Sequence, residues 1–313
     1  MAPSSPAQQR QRALAVAVLV LMCAIWGSTF ALLKTLTSSL SALDITLLRY
    51  GGAGLLLLCF VPRIRSIRPA EWRWGLVYGV ALFAAFYLQT EGLARTSANR
   101  NAFITGLNVL AVPILAIGLG QRPGWRLFAA CLLACAGMYG LFYAKAPWNL
   151  GDSLTAVAML CYAVYILLLE VSAQRHAAQP LRIAPVAALQ GLIMGGLALL
   201  CIGLQGQGAA LLQHTQSLSA QQWAALLYLL LFASALAPAM QIWAQRYVPA
   251  VQSALIYGLE PVFAAIMAYW WLGETLTGWA LLGAALIVAA LLLGQLSSSP
   301  TGQIESTPDQ HQI

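Results

Sequence analysis

Residues 13–36 read ALAVAVLVLMCAIWGSTFALLKTL, and the only charge in them is Lys34. A helix needs roughly 20 predominantly apolar residues to cross the hydrocarbon core of a bilayer. This stretch is long enough and apolar enough to do so. The pattern recurs down the chain, at residues 42–61, 74–93, 98–119, 124–143, 150–171, 184–204, 222–243, 250–272 and 275–296. These stretches fill nearly all of the 313 residues, of which 60% are hydrophobic and only 8% charged. A water-soluble fold could not hide that much apolar surface. Lipid can accept it, because a helix satisfies its own backbone hydrogen bonds there. The expected fold is an all-α integral membrane protein with ten transmembrane helices. The short loops leave no room for a folded soluble domain of ordinary size. Residues 1–12 read as an N-terminal tail. Residues 297–313 are polar and poor in aromatics, and read as a disordered one.

The net charge of +7 is distributed unevenly. When the loops are assigned alternately to two sides, one side collects Arg10, Arg12, Arg63, Arg65, Arg68, Arg73, Arg122, Arg126, Arg175, Arg182 and Arg246. The other holds Arg95, Arg100 and Lys145. Arginine excess marks the cytoplasmic side, so both termini are expected in the cytoplasm. A nucleic-acid surface is not expected, because the arginines are spread over several short loops. The first apolar run is too long for a cleaved signal and carries Trp26 and Lys34. Six cysteines, Cys23, Cys59, Cys131, Cys135, Cys161 and Cys201, lie within the apolar stretches and read as buried thiols. Cys131 and Cys135 could share a helix face, but no further ligand is near them in sequence, so no metal is expected.

The second half of the chain echoes the first. Placing residues 89–116 over 241–268 sets Gln89 on Gln241, Ala102 on Ala254, Ile104 on Ile256, and Gly106-Leu107 on Gly258-Leu259. By the same reasoning Trp26 falls on Tyr162 and Arg49 on Gln190. Each half then holds five helices. An odd number reverses the second half across the membrane, which gives two inverted five-helix repeats, residues 13–145 and 150–296. Such repeats accompany alternating access, with a substrate site near the midplane where they meet.

Several short motifs fall in order along this frame: Trp26-Gly27-Ser28-Thr29-Phe30, Gly106-Leu107-Asn108-Val109 with Pro113, Gly151-Asp152, Leu259-Glu260-Pro261 and Leu272-Gly273-Glu274. In these residues the chain resembles the EamA-type transporters of the drug/metabolite transporter superfamily, over nearly its whole membrane region. It departs from them at Ala289, where many members have glycine. Asn108-Val109 also stands in one half where Glu260-Pro261 stands in the other, so the halves differ chemically. The resemblance implies a secondary transporter of the bacterial inner membrane that exports a small metabolite such as an amino acid. It implies no cofactor, and a monomer or homodimer whose partners are the metabolite and the bilayer.

Polar residues at membrane depth are costly, which makes them candidates for function. Trp26, Ser28, Thr29, Gln89, Asn101, Thr105, Asn108, Tyr162, Gln241 and Tyr257 are expected to line a mostly uncharged, aromatic cavity, with Phe103 and Tyr165 as further aromatic walls. Uncharged polar groups also simply join helices by hydrogen bonds, and that reading stands beside the first. Glu260 is a proton or substrate site, or a structural carboxyl, beside a helix that Pro261 distorts by freeing a carbonyl one turn back. Lys34, Asp44, Arg49, Glu91, Arg95 and Arg100 fall toward the arginine-poor side and suggest a gate of ion pairs. Lys34 and Arg95, near helix ends, also fit snorkelling to the headgroups. Arg49 lies deeper and is expected to meet Asp44, Glu91, a carbonyl or an anionic substrate group. Glu170 reads as interfacial.

No Gly-x-Ser-x-Gly elbow, phosphate-binding loop or His-Glu-x-x-His motif occurs, so an enzyme is not expected. The alternative class is an integral-membrane enzyme acting on a lipid or isoprenoid substrate. It would need clustered acidic or basic residues at one interface, and the arginine-rich loops carry almost no carboxylates.

Overall fold

The computed structural model describes residues 6–121, 123–142, 147–272 and 278–296. Arg122, Lys145, Gly273, Glu274 and the C-terminal tail 297–313 lie outside the described residues. The chain is helical throughout its described elements. In order these are α1 (Pro6–Leu36), α2 (42–58), α3 (Pro69–Arg95), α4 (98–118), α5 (Trp125–Phe142), α6 (Leu150–Arg175), α7 (Ile183–Leu204), α8 (220–244), α9 (250–272) and α10 (Gly278–Leu296). A short helix, Gly208–Gln216, occupies what the sequence presented as a loop. Residues 6–12, expected in a tail, are the first turns of α1.

Seven helical stretches among the described residues are long and apolar enough to cross a bilayer. They are Pro6–Leu36, Pro69–Arg95, Ala98–Gly118, Leu150–Arg175, Ile183–Leu204, Ala220–Ala244 and Ala250–Met267. The apolar helices Trp125–Gly140 and Gly278–Gly294 are shorter. Segment α2 is shorter too, and a π-helical turn at Leu47–Gly51 interrupts it. The outer faces carry exposed Leu21, Leu55, Leu76, Leu132, Leu204 and Leu292, as lipid requires.

Four helices begin with the same device. The side chain of the third residue of the helix accepts a hydrogen bond from the backbone N–H at its start. Asp44 does so for Ser41 N (3.0 Å), Glu71 for Arg68 N (2.9 Å), Asp152 for Asn149 N (2.8 Å) and Gln222 for Ser219 N (3.0 Å).

Helices α2 and α7 approach through glycines Gly51, Gly54, Gly191 and Gly195. A Cβ added at Gly195 would lie 2.5 Å from Gly51 Cα, and one at Gly54 would lie 2.8 Å from the Gly191 carbonyl carbon. Absent side chains let the two backbones touch, the usual route to helix association in lipid.

Helices α4 and α9 are each broken near their middle. Ala98–Gly106 and Asn108–Gly118 meet at Leu107, and Ala250–Tyr257 and Glu260–Leu272 meet at Gly258-Leu259. Pro261 accounts for the second break, since it frees a carbonyl one turn back. No proline sits at the first. Glycine precedes both, and Met138 of α5 packs against both glycines: a Cβ would lie 2.8 Å from its Sδ at Gly106 and 3.3 Å from its Cε at Gly258.

Contacts at the helix ends fall into two groups. At one end Arg12 reaches Gln252, Arg182 reaches Glu71, and Glu170 accepts from Ala250 N. At the other Lys34 reaches Leu93 O, Arg100 pairs with Asp152, and Gln222 reaches Ser39. Glu170, expected at the interface, is buried there and caps the start of α9.

Candidate functional site

A cavity of about 750 Å³, counted with the open space at its mouth, lies among α1, α2, α3, α4, α6, α8 and α9. It collects Trp26, Thr29, Gln89, Asn101, Thr105, Asn108, Tyr162, Gln241 and Tyr257 from the expected cavity set. Tyr165 joins them. Ser28 does not, because its hydroxyl bonds to Ile25 O (2.7 Å) and to Tyr228 (2.8 Å). Phe103 is not on the wall either; it packs on the apolar cluster around Leu19, Met22 and Met138.

The polar wall is built twice over from related bonds. Gln89 Nε2 donates to Thr105 Oγ1 at 3.0 Å, and Gln241 Nε2 donates to the Tyr257 hydroxyl at 3.0 Å. Each pair spans sixteen residues, and each acceptor sits in the last turn before one of the two helix breaks. Tyr162 donates to Gln89 Oε1 at 2.7 Å, which fixes the orientation of that amide. Asn101 Nδ2 donates to Gln89 O (3.1 Å) and Thr155 Oγ1 (2.8 Å). Trp26 anchors its indole N–H on Ala233 O (3.1 Å) and sets its ring edge-on to Tyr257.

Two charged residues face this cavity, Arg49 and Glu260. Arg49 is 1% exposed. Its Nε donates to Ser234 Oγ at 3.1 Å, and its guanidinium carbon lies 4.5 Å from the Phe86 ring centroid and 5.3 Å from that of Tyr50. These ring faces attract the cation without neutralising it. Among the described residues no carboxylate pairs with Arg49. Glu260 opens the second half of broken α9, where the positive end of a helix favours a carboxylate. Among the described residues it has no hydrogen-bond or ion-pair partner. Asn108 holds the equivalent position after the break in α4.

Four buried side-chain atoms among the described residues lack any hydrogen-bond partner: Arg49 Nη1, Thr90 Oγ1, Asn101 Oδ1 and Asn108 Oδ1. All four residues line this one cavity. Buried polar groups are nearly always satisfied by protein or water, so the unused bonding capacity of the described residues is concentrated on this cavity.

The expected gate resolves into separate contacts. Glu91 pairs with Arg95, one turn away on its own helix. Arg100 pairs with Asp152 at 2.8 Å, and Thr96 also donates to Asp152. Lys34 Nζ donates to Leu93 O (2.6 Å) and Thr96 O (2.7 Å). Asp44 caps its own helix and lies 2.9 Å from His214 Nδ1. Arg49 pairs with neither Asp44 nor Glu91. Residues five apart do not share a helix face, and Glu91 is held by its own neighbour. Glu91 and Arg100 therefore lie outside the cavity, whereas Arg49 and Glu260 lie on its wall.

The sequence reading missed Tyr50, Phe86, Thr90, Leu33, Leu82 and Leu93 on the wall. Helical spacing from Gln89 would have found Leu82, Phe86 and Leu93, which share its face.

The sequence model of the EamA-like transporter family matches residues 13–143 and again residues 149–294. The chain belongs to the EamA-like transporter family. An uncharacterized transporter of Archaeoglobus fulgidus is 28% identical to this EamA-like chain over 279 residues, covering 89% of this chain and 84% of that one. A WAT1-related chloroplastic protein of Arabidopsis thaliana is 26% identical over 283 residues, 86% of this chain and 66% of its own length. A solved crystal structure shares the fold with a TM-score of 0.71, at 17% identity over 90% of this chain and 96% of that one. With its apolar helices, this EamA-like chain is a multi-pass membrane transporter.

Proposed function

We propose that the protein is a secondary transporter that exports a small zwitterionic metabolite, of amino-acid type, across the bacterial inner membrane by alternating access. The observation that carries this reading is a cavity whose cation, Arg49, and carboxylate, Glu260, have no ion-pair partner among the described residues. Arg49 takes the carboxylate of the substrate through a planar fork suited to it. Glu260, with Asn108 Oδ1, takes the ammonium group. The apolar part lies against Trp26, Tyr162 and Tyr257. Among the described residues the wall has a single basic residue, which suits one carboxylate better than a phosphate.

Ten passes in two inverted halves, residues 13–145 and 150–296, give the moving parts. The twofold family match, the paired helix breaks and the repeated glutamine bond support this duplication. The end carrying Glu71 is also the arginine-rich end, which supports a cytoplasmic location for it and for both termini. Glu260 binds a proton and the substrate ammonium in turn, which couples export to proton uptake.

Counterflow of labelled phenylalanine and glutamine in proteoliposomes, against glucose 6-phosphate, tests the proposal. Saturable flux of an amino acid is expected. Preference for the sugar phosphate, or turnover of a lipid without amino-acid flux, overturns it.

A further inference from the structure

A second enclosure, about 710 Å³ counted with its open mouth, lies at the Glu71 end of the bundle. Three helices line both enclosures. On α3, Leu82 faces the central cavity, and Tyr78, one turn earlier, faces the second enclosure. On α6 the same succession runs from Tyr165 to Leu169, and on α8 from Gln241 to Ile242. One layer of side chains separates the two spaces. Its centre is the pair Tyr165 and Tyr78, edge-on with ring centroids 5.7 Å apart. Their hydroxyls are tied sideways, Tyr165 to Gln190 at 3.1 Å and Tyr78 to Ser172.

The charge of the second enclosure has one sign. Arg246 and His176 line it, and no carboxylate does among the described residues. Arg246 donates to Leu181 O, and no carboxylate pairs with it among the described residues. His176 Nε2 lies 3.0 Å from Trp74 Nε1. An indole N–H can only donate, so Nε2 accepts and the ring proton of neutral His176 sits on Nδ1. That Nδ1–H has no partner among the described residues. The acidic residues of this end are committed elsewhere, Glu71 to Arg68 and Arg182, and Glu170 to Ala250 N. Arg175 adds a further guanidinium 6.0 Å from the Trp74 ring.

We propose that this enclosure is a docking site for the carboxylate of a small organic acid or amino acid, held by Arg246 and the His176 Nδ1–H. It is the antechamber of the central cavity, and the Tyr78–Tyr165 layer is the door between them. The onward step rests on the transporter reading above. The docking itself does not, and it is tested separately.

The Trp74 indole touches His176 and reports on the site. The full chain is labelled with 5-fluorotryptophan, placed in phosphatidylcholine nanodiscs and titrated with benzoate or benzyl alcohol. The Trp74 fluorine resonance is assigned with Trp74→Phe. Benzoate should shift this resonance saturably, and benzyl alcohol should not. Arg246→Gln should weaken benzoate about tenfold, the loss of one charge-assisted hydrogen bond. Arg246→Lys should recover part of it. Equal response to both probes in the native chain overturns the proposal, whether or not the variants fold. So does a resonance that moves with added phosphatidylglycerol and ignores benzoate, because the site then holds a lipid phosphate. Amino-acid flux with no benzoate effect at Trp74 would remove this site and leave the proposed function standing.

Discussion

Glu71 and Arg182 meet side-on, Arg182 Nε to Oε1 at 2.9 Å and Nη2 to Oε2 at 2.7 Å, across 111 residues of chain. Arg68 donates to the same carboxylate from its backbone and its guanidinium. The Glu71 side chain is wholly buried under them. At the opposite end Gln222 starts α8 as Glu71 starts α3, and it reaches across with one neutral bond, 2.8 Å to Ser39. Charge-assisted forked bonds are about twice as strong as neutral ones. At this pair of matching positions the Glu71 contact is therefore a charged latch and the Ser39 contact a neutral pin, while Arg100–Asp152 supplies the charged contact of the Ser39 end between α4 and α6.

Glu71→Gln keeps the shape of that latch and removes its charge, leaving two guanidinium groups against a neutral amide. A loss of about 1–3 kcal/mol is expected, below the roughly 3–5 kcal/mol of breaking a fully buried pair because both arginines reach solvent. The loss should favour opening at this end. Ala173 lines the enclosure there. An Ala173→Cys reporter should therefore react faster with an impermeant maleimide when Glu71→Gln is present. An unchanged rate would show that the latch does not hold this end shut.

Two neighbouring glycines on α7 make a matched test of packing. A Cβ at Gly195 meets Gly51 Cα at 2.5 Å, whereas one at Gly196 meets nothing within 4 Å. Gly195→Val should cost about 1–3 kcal/mol, as overpacking does, and should lower the melting temperature in detergent. Gly196→Val should be nearly neutral. Equal behaviour of the two would contradict the glycine contact between α2 and α7.

Arg49 is held by Ser234 and by the Phe86 and Tyr50 rings, none of which needs its charge to be neutralised. Arg49→Gln should leave a folded, monodisperse protein and reduce affinity for an amino acid by about ten- to a hundredfold, the range for a lost charged hydrogen bond. Phenylethylamine, which lacks the carboxylate, should bind both forms alike. Normal transport by the variant would remove Arg49 from the site. Failure to fold would make its role structural.

The cavity could be foreseen where chemistry repeated and missed where rotation decided. Gln89 and Gln241 stood out because the same residue recurs in register, and both reach the wall. Glu260 stood out because a carboxylate at that depth is rare. The pairing of Arg49 with Asp44 or Glu91 is absent for a different reason. Side-chain direction in α2 depends on the π turn that contains Arg49, which is not written in the apolar pattern. The break at Leu107 was equally hidden. It has no proline, and it becomes intelligible only when Met138 is seen between Gly106 and Gly258. Phe86 and Tyr50 read as ordinary apolar filling until Arg49 is placed between them.

Glu260 sits where the second half of α9 begins, on the cavity wall and without a partner among the described residues. A carboxylate so placed can serve as a site for a proton or an ammonium group, and the two compete for it. Glu260→Gln keeps the volume and removes that competition. In proteoliposomes the native protein should drive amino-acid movement against an imposed pH gradient. The variant should lose that response, and its affinity for the ammonium end should fall by about tenfold or more. Counterflow at saturating substrate should survive, because exchange needs no net proton movement. If the native protein ignores the gradient while counterflow persists, it is a facilitator and Glu260 serves the broken helix. If the variant still follows the gradient, the coupling proton binds elsewhere.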